Sequence, residues 1–383
     1  MRRLRVAIVA PSLRILGGQA VQADRLIRAW QGDPDVEAWL VPINPQPPAP
    51  LRWATRVKYA RTIVTELTYG PQLVRELARA DLVHVFSASY FSFLLAPLPA
   101  IVVARALGRP VVLNYRSGEA PDHLRRSTVA RVALSRVDEN VVPSRFLVDV
   151  FAGFGINATV VPNIVDLDRF SFRDRNPLRP RLLSTRNLEA LYDVACTLRA
   201  FRLVLDRRPD AMLTLVGRGS EERALRRLAD ELELQGVAFA GPVAPAAIAD
   251  SYRAHDIYIQ SPRIDNMPMS VIEAFASGLP VVSTDAGGVP AILTHDVHGL
   301  LAPVGDHSML AAHVLRLLDD PSLAGRLTRA AYATCAACTW SAVRDGWLQV
   351  YERALNKSGR SAEWAPARSA NPSAATRVTA ANP

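Results

Sequence analysis

Several residue types that mark other classes of protein are scarce in this chain. Only three of its 383 residues are cysteines, too few and too scattered to staple a disulfide scaffold. Cys335 and Cys338 form a C-x-x-C pair, but no second pair or nearby histidine accompanies them. We therefore expect buried thiols rather than a metal or redox site. Lysine occurs only twice, which leaves almost all of the positive charge to arginine.

Long apolar runs are lacking as well. The best candidate for a membrane span, residues 89–107, contains Pro97, Pro99 and Arg105, and is better explained as a helix, a break and a second helix. The N-terminal apolar run covers only about seven residues before Pro11, and no small-residue cleavage site follows it. We therefore expect a cytoplasmic protein.

The formal net charge of +9 is unevenly distributed along the chain. Residues 1–175 hold 23 basic and 15 acidic side chains, whereas residues 176–344 hold 17 and 18. A basic N-terminal half suits a phosphorylated substrate, a polyanion or an anionic lipid surface. We expect no nucleic-acid partner, because the sequence has no helix-turn-helix spacing, no zinc-ligand pattern and no aromatic-and-basic stacking platform.

Apolar residues make up 49% of the chain, enough for two packed cores. Short apolar runs alternate with longer helical patterns, which is typical of parallel sheets covered by helices on both faces. The sequence therefore predicts an α/β protein with two Rossmann-like doubly wound domains, residues 1–165 and 181–340, each with six strand candidates. A polar linker covers 166–180, a last helix covers 341–356, and residues 357–383 are expected to be disordered.

Two glycine-containing loops follow strand candidates and precede helices. Gly17 and Gly18 come after the first strand, at the edge of an open α/β sheet where ligands bind. They let backbone amides approach an anion at a helix N-terminus, although a loop that needs only flexibility has the same sequence. The fingerprint G-x-G-x-x-G is absent, so we expect no nicotinamide cofactor. Gly217 and Gly219 form a second such turn, which alone is a weak signal.

The segment from Asp256 to Gly288 brings two carboxylates to a third connection between a strand and a helix. Asp265 lies on the loop, and Glu273 lies about one turn into the helix. The start of this helix offers free amides to an anion at the residues that follow Pro268, namely Met269, Ser270 and Val271. This arrangement suits a nucleotide sugar: the helix start takes the diphosphate, Glu273 the ribose hydroxyls and Asp265 the sugar ring. Either carboxylate alone would have an ordinary structural explanation.

Together these residues resemble the retaining glycosyltransferases of family four, which have the GT-B fold. Asp265-x7-Glu273, followed by AFASGLPVVSTDAGGVPAIL, is similar to the family's E-x7-E signature. Gly17-Gly18-Gln19-Ala20 resembles its donor-side glycine loop, VPNIVD its P-N-G-V-D turn and LVGRG its V-G-x-G turn. The resemblance spans most of the chain and implies two domains that face a central cleft, with the last helix packed on the first domain.

Three positions depart from the family pattern. Asp265 is one methylene shorter than the usual glutamate. Leu191 stands where the family has a lysine, whereas Arg186 matches the family's phosphate-binding arginine. Arg116 stands where a histidine is frequent, which indicates a different acceptor or sugar contact. His123 follows on the same loop, where we expect it to line the acceptor cleft.

The resemblance implies transfer of a sugar from a nucleoside diphosphate sugar, with retention at the anomeric carbon and without a metal or other cofactor. Arg186 and Asp265 would be the catalytic pair, the arginine stabilising charge on the departing phosphate and the aspartate positioning the sugar. Arg116 and His123 would contact the acceptor or the sugar. The donor would be bound by Gly17, Gly18, Gly217, Pro268, Met269, Ser270, Val271 and Glu273.

The sequence does not identify the acceptor, and a sugar, a glycolipid or a small molecule would each fit. The segment Leu51–Leu67 mixes basic and apolar residues, as in a helix that docks peripherally on an anionic membrane, here the inner face. An ordinary surface helix has the same pattern. Two other functions remain open on this fold: a nucleotide-sugar-binding protein without catalysis, and a non-hydrolysing UDP-sugar epimerase, for which the first domain offers no conspicuous histidine.

Overall fold

The computed structural model describes residues 2–14, 17–360 and 364, which form two α/β units. The first unit contains β1 (Leu4–Ala10), α1 (Gly18–Ala29), β2 (Val36–Pro42), α2 (Lys58–Ala78), β3 (Leu82–Ser87), α3 (Tyr90–Leu95), α4 (Pro97–Ala106), β4 (Val111–Tyr115), α5 (Ala120–Arg126), α6 (Thr128–Arg136), β5 (Glu139–Val142), α7 (Arg145–Ala152) and β6 (Thr159–Val160). Its strands are parallel and lie in the order β2-β1-β3-β4-β5-β6.

The second unit repeats this architecture. It contains β7 (Arg181–Ser184), α8 (Val194–Leu205), β8 (Met212–Val216), α9 (Glu222–Glu231), β9 (Val237–Gly241), α10 (Ile248–Ala254), β10 (Ile257–Ile259), α11 (Met269–Ala276), β11 (Val281–Thr284), β12 (Leu300–Ala302), α12 (His307–Asp319) and α13 (Pro321–Thr334), and α14 (Trp340–Lys357) follows it. The parallel strands lie in the order β12-β11-β10-β7-β8-β9.

Helices cover both faces of the sheets, which explains the nearly continuous apolar sequence of the inner strands. In β1, for example, Val6 and Ile8 face one side of the sheet and Val9 faces the other, yet all three are fully buried. All twelve predicted strands are present, and the predicted α/β class with two Rossmann-like domains is confirmed.

The strand order reverses once in each sheet. β1 lies between β2 and β3, and β7 lies between β8 and β10. Where successive connections leave a sheet in opposite directions, a crevice opens at the carboxyl ends of the strands. In the second unit this places the residues that follow β7 beside those that follow β10.

One predicted helix boundary is wrong. The sequence pattern predicts two separate helices, Arg52–Leu67 and Pro71–Arg79, but α2 runs through Pro71 without interruption. Pro71 is exposed, so the carbonyl of Leu67, which loses its amide partner, lies on the solvent side of the helix rather than in the core. The predicted break within residues 89–107 is present, because α3 ends at Leu95 and α4 begins at Pro97.

The linker 166–180 is held against the second unit. Asp256, which is buried, pairs with Arg173 at 2.6 Å and anchors the segment to the start of β10. The chain therefore crosses between the units just before this segment. There the amide of Val165 donates to the carbonyl of Cys338 at 2.8 Å, so the outgoing and returning crossings lie side by side.

The last helix, α14, leaves the second unit and packs on the first. Val343, Trp347, Val350 and Tyr351 recur at helical spacing and bury one face of α14 in the first unit's core. The hydroxyl of Tyr351 lies 3.0 Å from Nδ1 of His84 in β3. This helix therefore joins the first unit although it follows the second in sequence.

The chain stays ordered beyond the predicted end of the last helix. α14 reaches Lys357, and Trp364 is buried in the first unit, where its indole Nε1 donates to the carbonyl of Asp35 at 3.2 Å. The expectation of disorder is therefore wrong for 357–360 and for Trp364, because this indole adds apolar surface to the core. The rest of the predicted tail lies outside the described residues.

The Trp347→Ala substitution tests how much α14 contributes to the first unit. Trp347 is 2% exposed, so its removal should cost about 3–5 kcal/mol in the free energy of unfolding, measured by urea denaturation with circular dichroism. Trp53, which is 64% exposed in the same unit, provides the matched control, and Trp53→Ala should change stability by no more than about 0.5 kcal/mol. Equal losses for the two variants would contradict the packing of α14.

Candidate active site

A cavity of about 720 Å³ lies between the two units, at the carboxyl ends of their strands. The loops after β1, β3 and β4 line it from the first unit, and the loops after β7, β8 and β10 line it from the second. Its volume is that of a site for a small molecule or a cofactor. Most of the predicted site residues line it together, namely Gly17, Gly18, Arg116, Arg186, Gly217, Asp265, Pro268, Met269, Ser270 and Glu273.

Arg186 and Asp265 form an ion pair on the wall of the second unit. Arg186 Nη2 lies 2.5 Å from Asp265 Oδ2, and Arg186 Nη1 donates to Ser270 Oγ at 3.1 Å. The guanidinium also lies 3.9 Å from the centre of the Tyr192 ring. Burial lowers the pKa of Arg186, but Asp265 and the neighbouring tyrosines raise it more, so its pKa lies above the ordinary value and the guanidinium stays charged. Arg186 Nε is buried without an acceptor among the described residues, which leaves one donor for a ligand.

Two glycines fix the backbone on either side of this ion pair. Gly217 has a φ of +146°, and a Cβ there would collide with the carbonyl oxygen of Arg186. A Cβ at Gly288 would collide with the carbonyl oxygen of Asn266, and the Gly288 amide donates to the Asp265 carbonyl at 2.9 Å. Gly217 therefore positions Arg186 in addition to lining the cleft. The sequence did not predict the role of Gly288.

The helix α11 begins at the cleft. The amides of Met269 and Ser270 have no acceptor within the described part of the chain, so they are available to an anion. Val271 contradicts the prediction. It is fully buried, and its amide donates to the carbonyl of Pro268 at 3.2 Å, since the first turn tightens there. Two amides rather than three are therefore offered to a ligand.

Glu273 connects the two units. Its Oε1 accepts a hydrogen bond from Arg25 Nη2 of α1 at 2.9 Å, and its Oε2 accepts one from the Tyr252 hydroxyl at 3.1 Å. Arg25 also donates to the carbonyl of Ile164 at 3.1 Å. The sequence predicted neither Arg25 nor Tyr252 as a site residue. Arg25 lies 248 residues from Glu273 in sequence and Tyr252 lies 21 residues from it, so no local motif connects them.

Gly17 and Gly18 lie at the start of α1 and leave space in the cleft. Gly17 is extended, and a Cβ at either position would meet no atom within 4 Å. Their backbone conformation therefore does not require glycine. What they supply at the cleft is room, since any side chain at these positions would project into unfilled space.

Arg116 extends from the end of β4 into the cleft. Its guanidinium donates to the side-chain oxygens of Asn114, at 3.3 Å, and Asn163, and its Cζ lies 5.2 Å from the centre of the Phe86 ring. The side chain is half-buried, and burial lowers the pKa of its guanidinium. All of these partners are neutral.

His123 does not line the cleft, contrary to the prediction. It is 1% exposed, and its Nδ1 lies 2.8 Å from the hydroxyl of Tyr115, which in turn lies 2.9 Å from Ser89 Oγ. The position belongs to α5, whose buried side faces the core of the first unit, so the ring packs among aromatic side chains behind the cleft wall. Burial lowers the pKa of His123, and it stays an internal hydrogen-bonding residue.

No group of three or more histidine, cysteine, aspartate or glutamate side chains is placed to hold a metal ion within residues 2–14, 17–360 and 364. Cys335 and Cys338 are buried, and burial raises the pKa of their thiols to about 12 and about 11. Among the same described residues, no helix has both the length and the apolar character needed to cross a bilayer.

Comparison with known proteins identifies relatives of both units. The family model of glycosyltransferase family 4 matches residues 16–169, and that of the glycosyl transferases group 1 matches residues 169–334. The sulfoquinovosyl transferase SQD2 of Arabidopsis thaliana is 24% identical over 74% of this chain and 59% of its own length. A phosphatidyl-myo-inositol mannosyltransferase of Mycobacterium leprae is 32% identical over 52% of this chain and 54% of its own. The chain thus spans little more than half the length of these two relatives.

Solved structures of the same fold cover nearly the whole chain. Anabaena HepE in complex with UDP and glucose superposes with a TM-score of 0.72 at 16% identity, covering 91% of this chain and 100% of its own. The sucrose-phosphate synthase of Thermosynechococcus elongatus also reaches a TM-score of 0.72, at 19% identity, covering 92% of this chain and 100% of its own. Since the two family models together match residues 16–334, the chain belongs to glycosyltransferase family four and has the GT-B fold.

Proposed function

We propose that the protein transfers a sugar from a nucleoside diphosphate sugar to an acceptor, with retention at the anomeric carbon and without a metal ion. One observation carries this proposal: a buried arginine–aspartate pair, two free helix amides and a carboxylate meet on one wall of a cleft between two Rossmann-like units. The family membership and the UDP present in the HepE complex support a nucleotide-sugar donor.

The donor is proposed to lie along the second unit. The amides of Met269 and Ser270 bind the diphosphate, helped by the positive end of the α11 dipole. Glu273 accepts hydrogen bonds from the ribose hydroxyls. Each of its carboxylate oxygens already accepts one hydrogen bond, from Arg25 and from Tyr252, and keeps a second lone pair for the sugar.

Arg186 and Asp265 are proposed to carry the chemistry. As the bond between the anomeric carbon and the phosphate breaks, negative charge develops on the β-phosphate oxygens. The unpaired Nε–H of Arg186 and the helix amides stabilise that charge from fixed positions, which requires little reorganisation. Asp265 holds Arg186 at 2.5 Å and positions the sugar ring with its remaining lone pairs. The departing phosphate takes the acceptor proton on the same face, so the reaction needs no enzymic nucleophile.

The acceptor is proposed to reach the cleft from an apolar face of the first unit. Ile63 and Leu67 of α2 are 61% and 68% exposed, and Phe91, which lines the cleft, is 66% exposed. α2 packs on α4, which packs on α3, so these side chains follow adjacent helices to the cleft. Residues 49–61 add four basic and no acidic residues. An exposed apolar surface in a unit whose sequence is rich in basic residues suits peripheral contact with an anionic membrane, which we place at the cytoplasmic side.

Substitution of Glu273 tests donor binding. A saturating nucleoside diphosphate from a panel of UDP, GDP and ADP should stabilise the protein by about 2.7 kcal/mol at 100 times its Kd, read as a rise in Tm. In Glu273→Gln, which keeps the shape but loses the charge, this ligand-induced rise should shrink to less than half, measured from that variant's own unliganded Tm. Glu231→Gln, an exposed change on α9, serves as the control. The proposal is wrong if none of the three nucleotides raises the Tm of the unmodified protein.

Substitution of Arg186 tests catalysis. Arg186→Lys keeps a positive charge, but a single ammonium cannot replace the planar fork that reaches Asp265, Ser270 and the phosphate together. The kcat for release of nucleoside diphosphate from radiolabelled nucleotide sugars, assayed with EDTA present, should fall by about 10²–10³-fold. Arg202→Lys, a change at a partly exposed residue of α8 that does not line the cleft, should leave kcat unchanged.

The product distinguishes the remaining alternatives. Retention requires that the transferred sugar keep the anomeric configuration of the donor, read from the anomeric proton coupling in the NMR spectrum. A changed sugar on an intact nucleotide would indicate an epimerase. Binding without any turnover across the panel of nucleotide sugars would indicate a noncatalytic binding protein.

Vesicle sedimentation tests the membrane contact. The unmodified protein should bind vesicles that contain phosphatidylglycerol and not vesicles of phosphatidylcholine alone. Leu67→Glu replaces an exposed apolar side chain by a negative charge, which the anionic lipid repels, and should reduce binding at least about tenfold. Val297→Glu, at a 45% exposed position of the second unit, controls for the added charge. Equal binding of both variants would refute the proposed face.

A further inference from the structure

The arginines of the cleft are not equally compensated. Two of them form ion pairs, Arg186 with Asp265 and Arg25 with Glu273, and their charges are cancelled within the protein. Arg218 also lines the cleft, but it is exposed on the loop after β8, where water already screens its charge. Arg116 differs from all three, because it is half-buried and no carboxylate of the described residues lies within ion-pair distance.

A desolvated cation without a counter-charge is costly, and proteins rarely retain one without a partner. The contacts of Arg116 reduce this cost only in part. The oxygens of Asn114 and Asn163 offer dipoles, and the Phe86 ring offers its quadrupole. None of them cancels the charge. The guanidinium therefore provides a preorganised position for an anion that comes from outside the chain.

The neighbours of Arg116 indicate where that anion lies. Asn163, which accepts from Arg116, also donates through Nδ2 to the carbonyl of Met267 at 3.1 Å, two residues before the first helical residue of α11. Gly118, two residues after Arg116, approaches the Asp265 backbone so closely that a Cβ there would lie 3.1 Å from the Asp265 carbonyl carbon. Arg116 thus faces the wall on which the free amides of α11 begin.

The second unit offers a diphosphate no uncompensated cation that is shielded from water, because the unpaired Arg218 is exposed. On that wall Arg186 is already paired with Asp265, and the neighbouring position Leu191, which also lines the cleft, is apolar. A nucleoside diphosphate sugar carries two negative charges on its phosphates. The helix amides supply partial charges only, equivalent to roughly half an elementary charge at a helix N-terminus.

We propose that Arg116 is a diphosphate-binding residue, a cation that the first unit extends across the cleft to the leaving group of a donor held by the second. This assignment rests on the proposed function, and it replaces the acceptor or sugar contact expected from the sequence. Arg116 then compensates the developing charge from the side opposite Arg186. The diphosphate therefore meets this uncompensated guanidinium only when both units contact the donor.

Nucleotide affinities test the assignment. Kd values are measured by calorimetry for UDP, GDP and ADP, for UMP, GMP and AMP, and for the glucose conjugates of the three diphosphates, on the unmodified protein and on Arg116→Gln, Arg116→Lys and Arg28→Gln. Arg28 is a 68% exposed residue of α1, and its variant controls for the loss of one positive charge. For the nucleotide base that binds, Arg116→Gln should weaken the diphosphate about 10- to 100-fold and the monophosphate less than about threefold. Arg116→Lys should recover part of the lost affinity for the diphosphate, and Arg28→Gln should change neither the diphosphate Kd nor the monophosphate Kd.

The unliganded Tm separates a binding role from a structural one. If Arg116 is an uncompensated cation kept for a ligand, Arg116→Gln should have an unchanged or higher Tm. A lower Tm together with an unchanged preference for diphosphate over monophosphate would mean that Arg116 only braces Asn163, and would overturn the assignment. A loss of affinity for the nucleotide sugar but not for the diphosphate would also overturn it, in favour of a sugar contact. If the unmodified protein binds none of the nucleotides, the proposed function fails together with this inference.

Discussion

The cleft depends on the reversal of strand order in the second sheet. Because β7 and β10 are adjacent, the loop that follows each of them starts at the same edge, and Arg186 reaches Asp265 across 79 residues of sequence. The carboxylate permits a cation to be buried at this edge, since a desolvated guanidinium without it would be strongly destabilising. Ser270 at the start of α11 accepts from the same guanidinium, so the arginine, the aspartate and the helix start form one rigid group.

This group is positioned by backbone contacts more than by the side chains themselves. The turn at Gly217 packs closely against the Arg186 carbonyl, and the turn at Gly288 packs closely against the loop that carries Asp265. Neither contact leaves room for a Cβ, so the two glycines determine the separation of the charged groups. Side chains in such a setting reach their partners with little loss of conformational freedom, which is what electrostatic stabilisation of a leaving group requires.

Features that follow from local sequence were predictable, and features that depend on distant contacts were not. The strands were found because strands buried on both faces read as apolar runs, and the wall of the second unit was found because Asp265, Pro268 and Glu273 belong to one short segment. Arg25 could not be predicted as a site residue, because its partner Glu273 lies 248 residues away and the sequence of α1 indicates only an amphipathic helix.

The prediction that His123 lines the cleft is wrong, because the exposure of this residue depends on the orientation of α5, which the sequence around Pro121 does not reveal. The prediction that the Val271 amide is free to bind an anion is wrong, because the tightening of a first helical turn has no sequence signature.

On the proposed function, contacts across the cleft connect donor binding to the relative position of the two units. Arg25 pairs with Glu273, Asn163 donates to the Met267 carbonyl, and the two chain crossings lie side by side at Val165 and Cys338. A ligand shifts an equilibrium between two arrangements of such units only by the difference between its interactions in each. A nucleotide bound by the second unit alone would leave the equilibrium unchanged. On the proposed assignment, a diphosphate that also meets Arg116 would favour any arrangement in which the units lie closer together, because there the uncompensated guanidinium is neutralised.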